Sequence, residues 1–203
     1  MPSQPLRLNC FGPFRFVGDE DENIFTSKTR TGQKRGVYLL TVPLDGKYLV
    51  YYVGETGNSF SERLLQHVRC YLDGYYRLYN PEKFAIGDKE LIWGGMWKRE
   101  RKDPRFISEF IESYSILTPK IAKFISQFCI FVIPLEVDKR LDKRLGERVE
   151  ATIKRILLEQ EGKVGEFQDR DIRYRPKRPK EQPLSVILKF SKPIMGLVEE
   201  ISI

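Results

Sequence analysis

Gly36-Val37-Tyr38-Leu39-Leu40-Thr41-Val42-Pro43-Leu44-Asp45-Gly46-Lys47-Tyr48-Leu49-Val50-Tyr51-Tyr52-Val53-Gly54 reads as one β-hairpin. Residues 37–42 and 48–53 are β-branched and aromatic runs, and the segment between them holds an Asp-Gly pair, a strong turn signal. Successive strand residues face opposite sides, so Tyr38 opposes Val37 and Tyr52 opposes Val53. The pairing register then decides whether the two phenols share a face. Gly54 permits a sharp turn into Glu55-Thr56-Gly57-Asn58-Ser59, where Asn58, Ser59 or Ser61 can cap a following helix.

That helix, roughly 60–73, carries Phe60, Leu64, Val68, Tyr71 and Leu72 at helical spacing. Arg63 and His67 are four residues apart, about 40° from each other around the axis, along the edge of this apolar stripe. A guanidinium and an imidazole so placed can hold a phosphate by paired hydrogen bonds and orient or deprotonate a nucleophile. Further on, residues 128–135 form a short apolar run suited to a buried strand, with Pro134 placing its end at an edge. Residues 139–161 then show Leu141, Leu145, Val149, Ile153, Ile156 and Leu157 at helical spacing. Glu150 sits beside this stripe and is the better metal candidate; Glu147, nearer the polar border, competes with it. One carboxylate leaves most of an octahedral magnesium shell to water and phosphate oxygens.

The strings Gly36-Val37-Tyr38 and Tyr52-Val53-Gly54, followed by Arg63 and His67 and later by Glu150, resemble the GIY-YIG nuclease family. The resemblance covers about 36–73 and 127–161. It implies an α/β (α+β) domain whose small, mainly antiparallel three-stranded central sheet is flanked by helices, with a large insertion and a C-terminal extension. It also implies a metal-dependent endonuclease that hydrolyses DNA phosphodiesters. By resemblance, Tyr38 orients or deprotonates water, Tyr52 contacts the phosphate or supports that transfer, and Arg63 stabilises developing charge. His67 assists proton movement and Glu150 binds Mg2+ or Mn2+. Which phenol or imidazole is the base stays open. Valines stand at 37 and 53 where the family has isoleucine. The asparagine that family members carry a dozen residues after the glutamate has no counterpart, since none follows Asn80; Gln160 or Gln168 are the substitutes available. Within that family, a chain without a recognised zinc finger, helicase or helix-hairpin-helix module looks more like a restriction-type endonuclease than a repair subunit or homing enzyme. The alternatives are a catalytically silent DNA-binding or assembly protein of the same fold, and a DNA-repair or RNA nuclease. Double-strand cleavage by so small a core calls for a homodimer or sequential attack.

The organisation expected is an N-terminal extension with a basic loop (1–35), a core (36–161) interrupted by an insertion (74–127), and a basic linker with C-terminal extension (162–203). With 203 residues, 41% of them hydrophobic, one domain is the default. The formal charge of +7 favours an anionic partner, DNA. Its distribution nominates Lys34 and Arg35 before the first tyrosine strand, Arg99 and Arg101 after the Trp93-Gly94-Gly95-Met96-Trp97 segment, and Arg173, Arg175, Lys177 and Arg178 in a prolyl strap. The insertion also reads as two helices, around 105–115 and 119–127, and the tail as a strand and a short element. Three scattered cysteines and a single histidine argue against a zinc site or a disulfide framework. No phosphate-binding glycine loop points to a nucleotide cofactor. Without a leader-like N-terminus or a long apolar run, the expectation is a cytoplasmic or other soluble intracellular protein with no membrane partner.

Overall fold

In the computed structural model, residues 4–97, 103–135, 139–169 and 176–203 are described, with the side chains of 139–142 outside the description. The hairpin forms as the sequence dictates, from β2 (Gly36–Leu44) and β3 (Lys47–Thr56), after a first strand, β1 (Leu6–Phe14). Its turn is at Asp45 and Gly46, both with positive φ. α1 (Phe60–Leu72) follows, opened by a capping box in which Ser59 and Glu62 satisfy each other's backbone amides. The insertion supplies β4 (Leu78–Tyr79), α2 (Pro81–Ala85), β5 (Leu91–Trp93) and α3 (Arg105–Ser126). β6 (Cys129–Pro134), α4 (Lys139–Leu158), α5 (Lys163–Phe167), β7 (Ser185–Phe190) and β8 (Glu200–Ser202) complete the chain.

The expected three-stranded sheet is wrong. One mixed, curled sheet of six strands runs in the order β3-β2-β6-β1-β7-β8, and β4 and β5 form a separate two-stranded ribbon. β1 lies parallel to β7; the other neighbouring pairs are antiparallel. The physical reason lies in β6. Its residues 129–133 are all buried, as in a strand covered on both faces and hydrogen-bonded along both edges. β2 occupies one edge, and β1 fills the other, so the N-terminal segment is built into the sheet. Pro134 ends β6 without making it an edge strand. The tail strands β7 and β8 then extend the sheet beyond β1.

The sheet separates two apolar cores. Tyr38, Leu40, Ile130 and Val132 pack on one face with Leu64 and Tyr71 of α1 and Leu117 and Phe124 of α3. Val37, Leu39, Phe131 and Ile133 face the other way, against Val149, Ile153 and Leu157 of α4. The insertion's two expected helices are a single one, α3, with Pro119 inside it. Proline removes one helical hydrogen bond, at a local cost of roughly 3 kcal/mol. Burial of Phe110, Leu117, Ile121 and Phe124 along one face offsets that loss and keeps the two halves in line. Among the described residues no helix is long and apolar enough to cross a membrane.

Candidate active site

Register brings the two phenols together. Tyr38 pairs with Gly54 and Leu40 with Tyr52, but Thr41 pairs with Val50, so Tyr51 is an extra residue in β3. Such a bulge turns two consecutive side chains toward one face. Tyr51 is buried in the core beside Tyr38, and Tyr52 packs against the same core. The Tyr38 and Tyr52 ring centroids are 6.0 Å apart. Gly54 is required here: a Cβ on it would sit 2.5 Å from the Tyr38 hydroxyl.

Above these rings lies α1. His67 falls within its buried stripe with Phe60, Leu64 and Tyr71, deeper than the stripe edge that the spacing suggested. The Tyr38 oxygen is 2.8 Å from His67 Nε2 and accepts a hydrogen bond from Arg63 Nε at 3.2 Å. Arg63 also donates from Nη1 to Gln66 at 3.1 Å, which fixes the guanidinium plane. Tyr38 has no exposed surface. That burial, with Tyr52 beside it, drives its phenol well above the ordinary tyrosine range, although the Arg63 charge pulls the other way. Tyr38 is therefore a neutral phenol at pH 7. Burial alone would lower the Arg63 pKa, but the Tyr38 oxygen against it raises it on balance, so the guanidinium stays charged.

β3 is the edge of the sheet, and its outward backbone groups need partners. The Glu55 N–H donates to Glu150 Oε2 at 2.9 Å, the Gln168 amide donates to the Val50 carbonyl, and the Asp169 N–H donates to the Tyr51 carbonyl at 2.9 Å. Of the two glutamines proposed to replace the missing asparagine, Gln168 reaches the site, and Gln160 turns back to the Ile156 carbonyl of its own helix end. Glu150, 3% exposed, holds Lys154 Nζ on Oε1 at 2.8 Å, and the Lys154 ammonium lies 5.1 Å from the Tyr52 ring centre. Glu147 is turned away to Arg144 at 3.2 Å and Arg178 at 3.6 Å. Glu55, half-buried, is pushed up to about 7 by burial and then by the Glu150 and Glu147 charges.

A cleft of about 590 Å³ is lined by Tyr52, Arg63, His67, Lys154 and Gln168 among others. Its outer wall is tyrosine-rich, from Tyr71 to Tyr79, and ends at Trp97, which is 54% exposed. Trp93 instead is buried and donates its ring N–H to the Gly74 carbonyl at 2.7 Å, so one tryptophan of the pair is packing and the other is display. Sequence reasoning did not assign Lys154 or the tyrosine wall to the site. Both left signals: a lysine one turn after Glu150 on the same helix face, and four tyrosines between 71 and 79.

The remaining nominated cations are dispersed. Lys34 and Arg35 are tied by their carbonyls to the Phe60 and Leu135 amides, at the start of α1 and the end of β6. Lys177 and Arg178 are exposed on a strap fastened to α4 by the Arg144–Glu181 pair at 2.6 Å and by Arg148 on the Pro176 carbonyl. Arg99, Arg101, Arg173 and Arg175 lie outside the described residues.

Among the described residues no three metal-ligating side chains converge. Glu150 nevertheless fits a cation: it is a buried carboxylate next to the cleft-lining Lys154, whose ammonium lies on its Oε1. A divalent ion there would have this single protein ligand and would exchange with Lys154. No protein-family model, curated protein or solved structure matches the chain.

Proposed function

We propose that this protein is a nuclease that hydrolyses a phosphodiester of DNA, as its resemblance to the GIY-YIG family implies. The observation that carries the reading is the Tyr38 hydroxyl held between Arg63 Nε and His67 Nε2, at a cleft with a second cation in Lys154. Arg63 binds the scissile phosphate and stabilises the charge that grows on it. Water bonds to phosphorus as the bond to the leaving sugar oxygen breaks. As Arg63 turns from the Tyr38 oxygen onto the phosphate, that oxygen is uncovered and takes the water's proton while the Tyr38 proton moves to an unprotonated His67 Nε2, and the leaving oxygen takes a proton from solvent. Tyr38 thus works as a relay, which suits a phenol that burial keeps neutral. Tyr52 orients the phosphate beside Tyr38. Glu150 would hold the Mg2+ or Mn2+ ion, which when bound supplies positive charge to the phosphate oxygens.

A restriction-type enzyme, dimeric for double-strand cleavage, is the finer form of this proposal. The competing reading is a DNA-binding protein that does not cut, and it draws support from Lys154 already paired to Glu150. Supercoiled plasmid incubated with the protein and Mg2+ or Mn2+ separates the two. Nicked or linear product is expected from the native chain, and Arg63→Ala and Tyr38→Phe should each slow it by roughly 10² or more. DNA binding without any nicking under either metal would make the chain a binder.

A further inference from the structure

The nuclease reading leaves unexplained why the reacting phenol is buried and why the way in is aromatic. Tyr38 is fully covered and lies behind Arg63, Tyr52 and His67, which line the cleft, so a phosphate must descend into the cleft to meet those three. A duplex carries its phosphates on a broad convex surface and offers them to open ground. The route down is paved with rings in edge or tilted contact. Trp97 lies 6.2 Å from Tyr76, Tyr76 lies 5.5 Å from His67, and His67 lies 5.6 Å from Tyr38. Trp97 is further buttressed by Tyr75 at 6.4 Å. Cations border the same path in Arg63, Arg77, Lys89 and Lys154, with Asp169 the one carboxylate among the lining residues. Alternating π-faces and positive charge is the chemistry that holds an unpaired nucleotide, with the base stacked on an aromatic and the phosphate on an arginine or lysine. A volume near 590 Å³ is ample for one nucleotide.

We propose that the cleft receives an unpaired nucleotide, its base stacked against Trp97 and Tyr76 and its phosphate carried in to Arg63 and Tyr52. The inference rests on the nuclease reading and names the substrate class of that site. The nucleotide comes from a single strand or is extruded from a duplex, and both sources present the same group to the wall.

The test measures binding in chelator, so that nothing is cut, with a fluorescein-labelled 12-nucleotide single strand and the duplex of the same sequence. A second set of both probes carries 2-aminopurine, whose emission rises on unstacking. Trp97→Ala should weaken single-strand binding about tenfold, and Trp97→Phe, which keeps a stacking face, should restore most of it. Because Trp97 is largely exposed, both variants should keep the native thermal midpoint. If the duplex is also a source, native protein should change the emission of the 2-aminopurine duplex, as the base leaves its neighbours and restacks on Trp97, and Trp97→Ala should not give that change. The proposal is overturned if both probes bind and Trp97→Ala leaves their affinities and the 2-aminopurine signal unchanged; the nuclease reading would survive that outcome. Failure of the native protein to bind either probe would instead remove the nucleic-acid reading itself, and this inference with it.

Discussion

Replacing Lys154 by methionine isolates the cation that stands against Glu150. The two side chains are almost fully buried and 2.8 Å apart, and the other Glu150 oxygen has the Glu55 N–H. Methionine keeps the length and the packing and deletes the charge. Removing one partner of a buried pair costs about 3–5 kcal/mol, because the remaining charge is left uncompensated. For a chain of this size each kcal/mol moves the thermal midpoint by about 2–4 °C, so Lys154→Met should lower it by roughly 6–20 °C. The double variant Lys154→Met, Glu150→Gln should recover much of that, since the orphaned charge is gone. A divalent ion able to occupy the ammonium's place should then stabilise Lys154→Met by mass action, by about 2.7 kcal/mol at a hundredfold over its Kd. The native protein should gain less, because the ion must first displace Lys154. Thermal and urea unfolding with and without Mn2+ reads all of this without reference to turnover. Equal Mn2+ gains in the native, single and double variants would refute the exchange. A loss under 1 kcal/mol in Lys154→Met would refute the claim that the pair is buried and coupled.

Two further outcomes follow from the charges around the site. Glu55 has its pKa raised from 4.5 to about 7, so the folded state favours the protonated form. Its contribution is full below pH 4.5 and is lost as pH rises through 7, and Glu55→Gln should flatten this part of the stability profile in urea titrations from pH 4.5 to 8. An unchanged slope would mean that neither burial nor the Glu150 and Glu147 charges hold its pKa up. On the exposed strap, Lys177→Gln with Arg178→Gln should weaken DNA binding alike on all sequences and reduce the logarithmic salt slope by about 0.9 for each phosphate no longer neutralised. Weakening confined to particular sequences would mean that the strap reads bases.

How much of this was legible in the chain depended on whether the signal was local. The hairpin, α1 and α4 announce themselves because strand alternation, the Asp45-Gly46 turn, the Ser59 cap and apolar spacing are all encoded within a few residues. The sheet's size was not legible, because β1 joins β6 and β7 across more than a hundred residues and its Gly12-Pro13 pair masks an otherwise alternating strand. Pro119 misled in the opposite direction. It is a reliable local breaker, overridden here by the burial of four large side chains along the same helix face.

The site divides along the same line. Arg63 and His67 could be placed on one side of a helix from spacing alone, but their target could not, since Tyr38 is reached only through the register of β2 against β3. That register contains the bulge at Tyr51, and without it Tyr51 and Tyr52 would point to opposite faces. Tyr51 instead stays in the core with Phe84 and Phe128 while Tyr52 opens to the cleft. The bulge also leaves edge carbonyls at Val50 and Tyr51 that Gln168 and Asp169 cover, which draws the segment after α5 onto the cleft rim. Gln168 is thus held first by the strand edge. Any role it takes beside a phosphate must operate with one of its two amide N–H groups already anchored on the Val50 carbonyl, which leaves the other N–H and the side-chain carbonyl as the groups it can offer. A neutral amide sets no charge against a phosphate, so the cationic work at this cleft would fall to the lining arginines and lysines, Arg63, Arg77, Lys89 and Lys154.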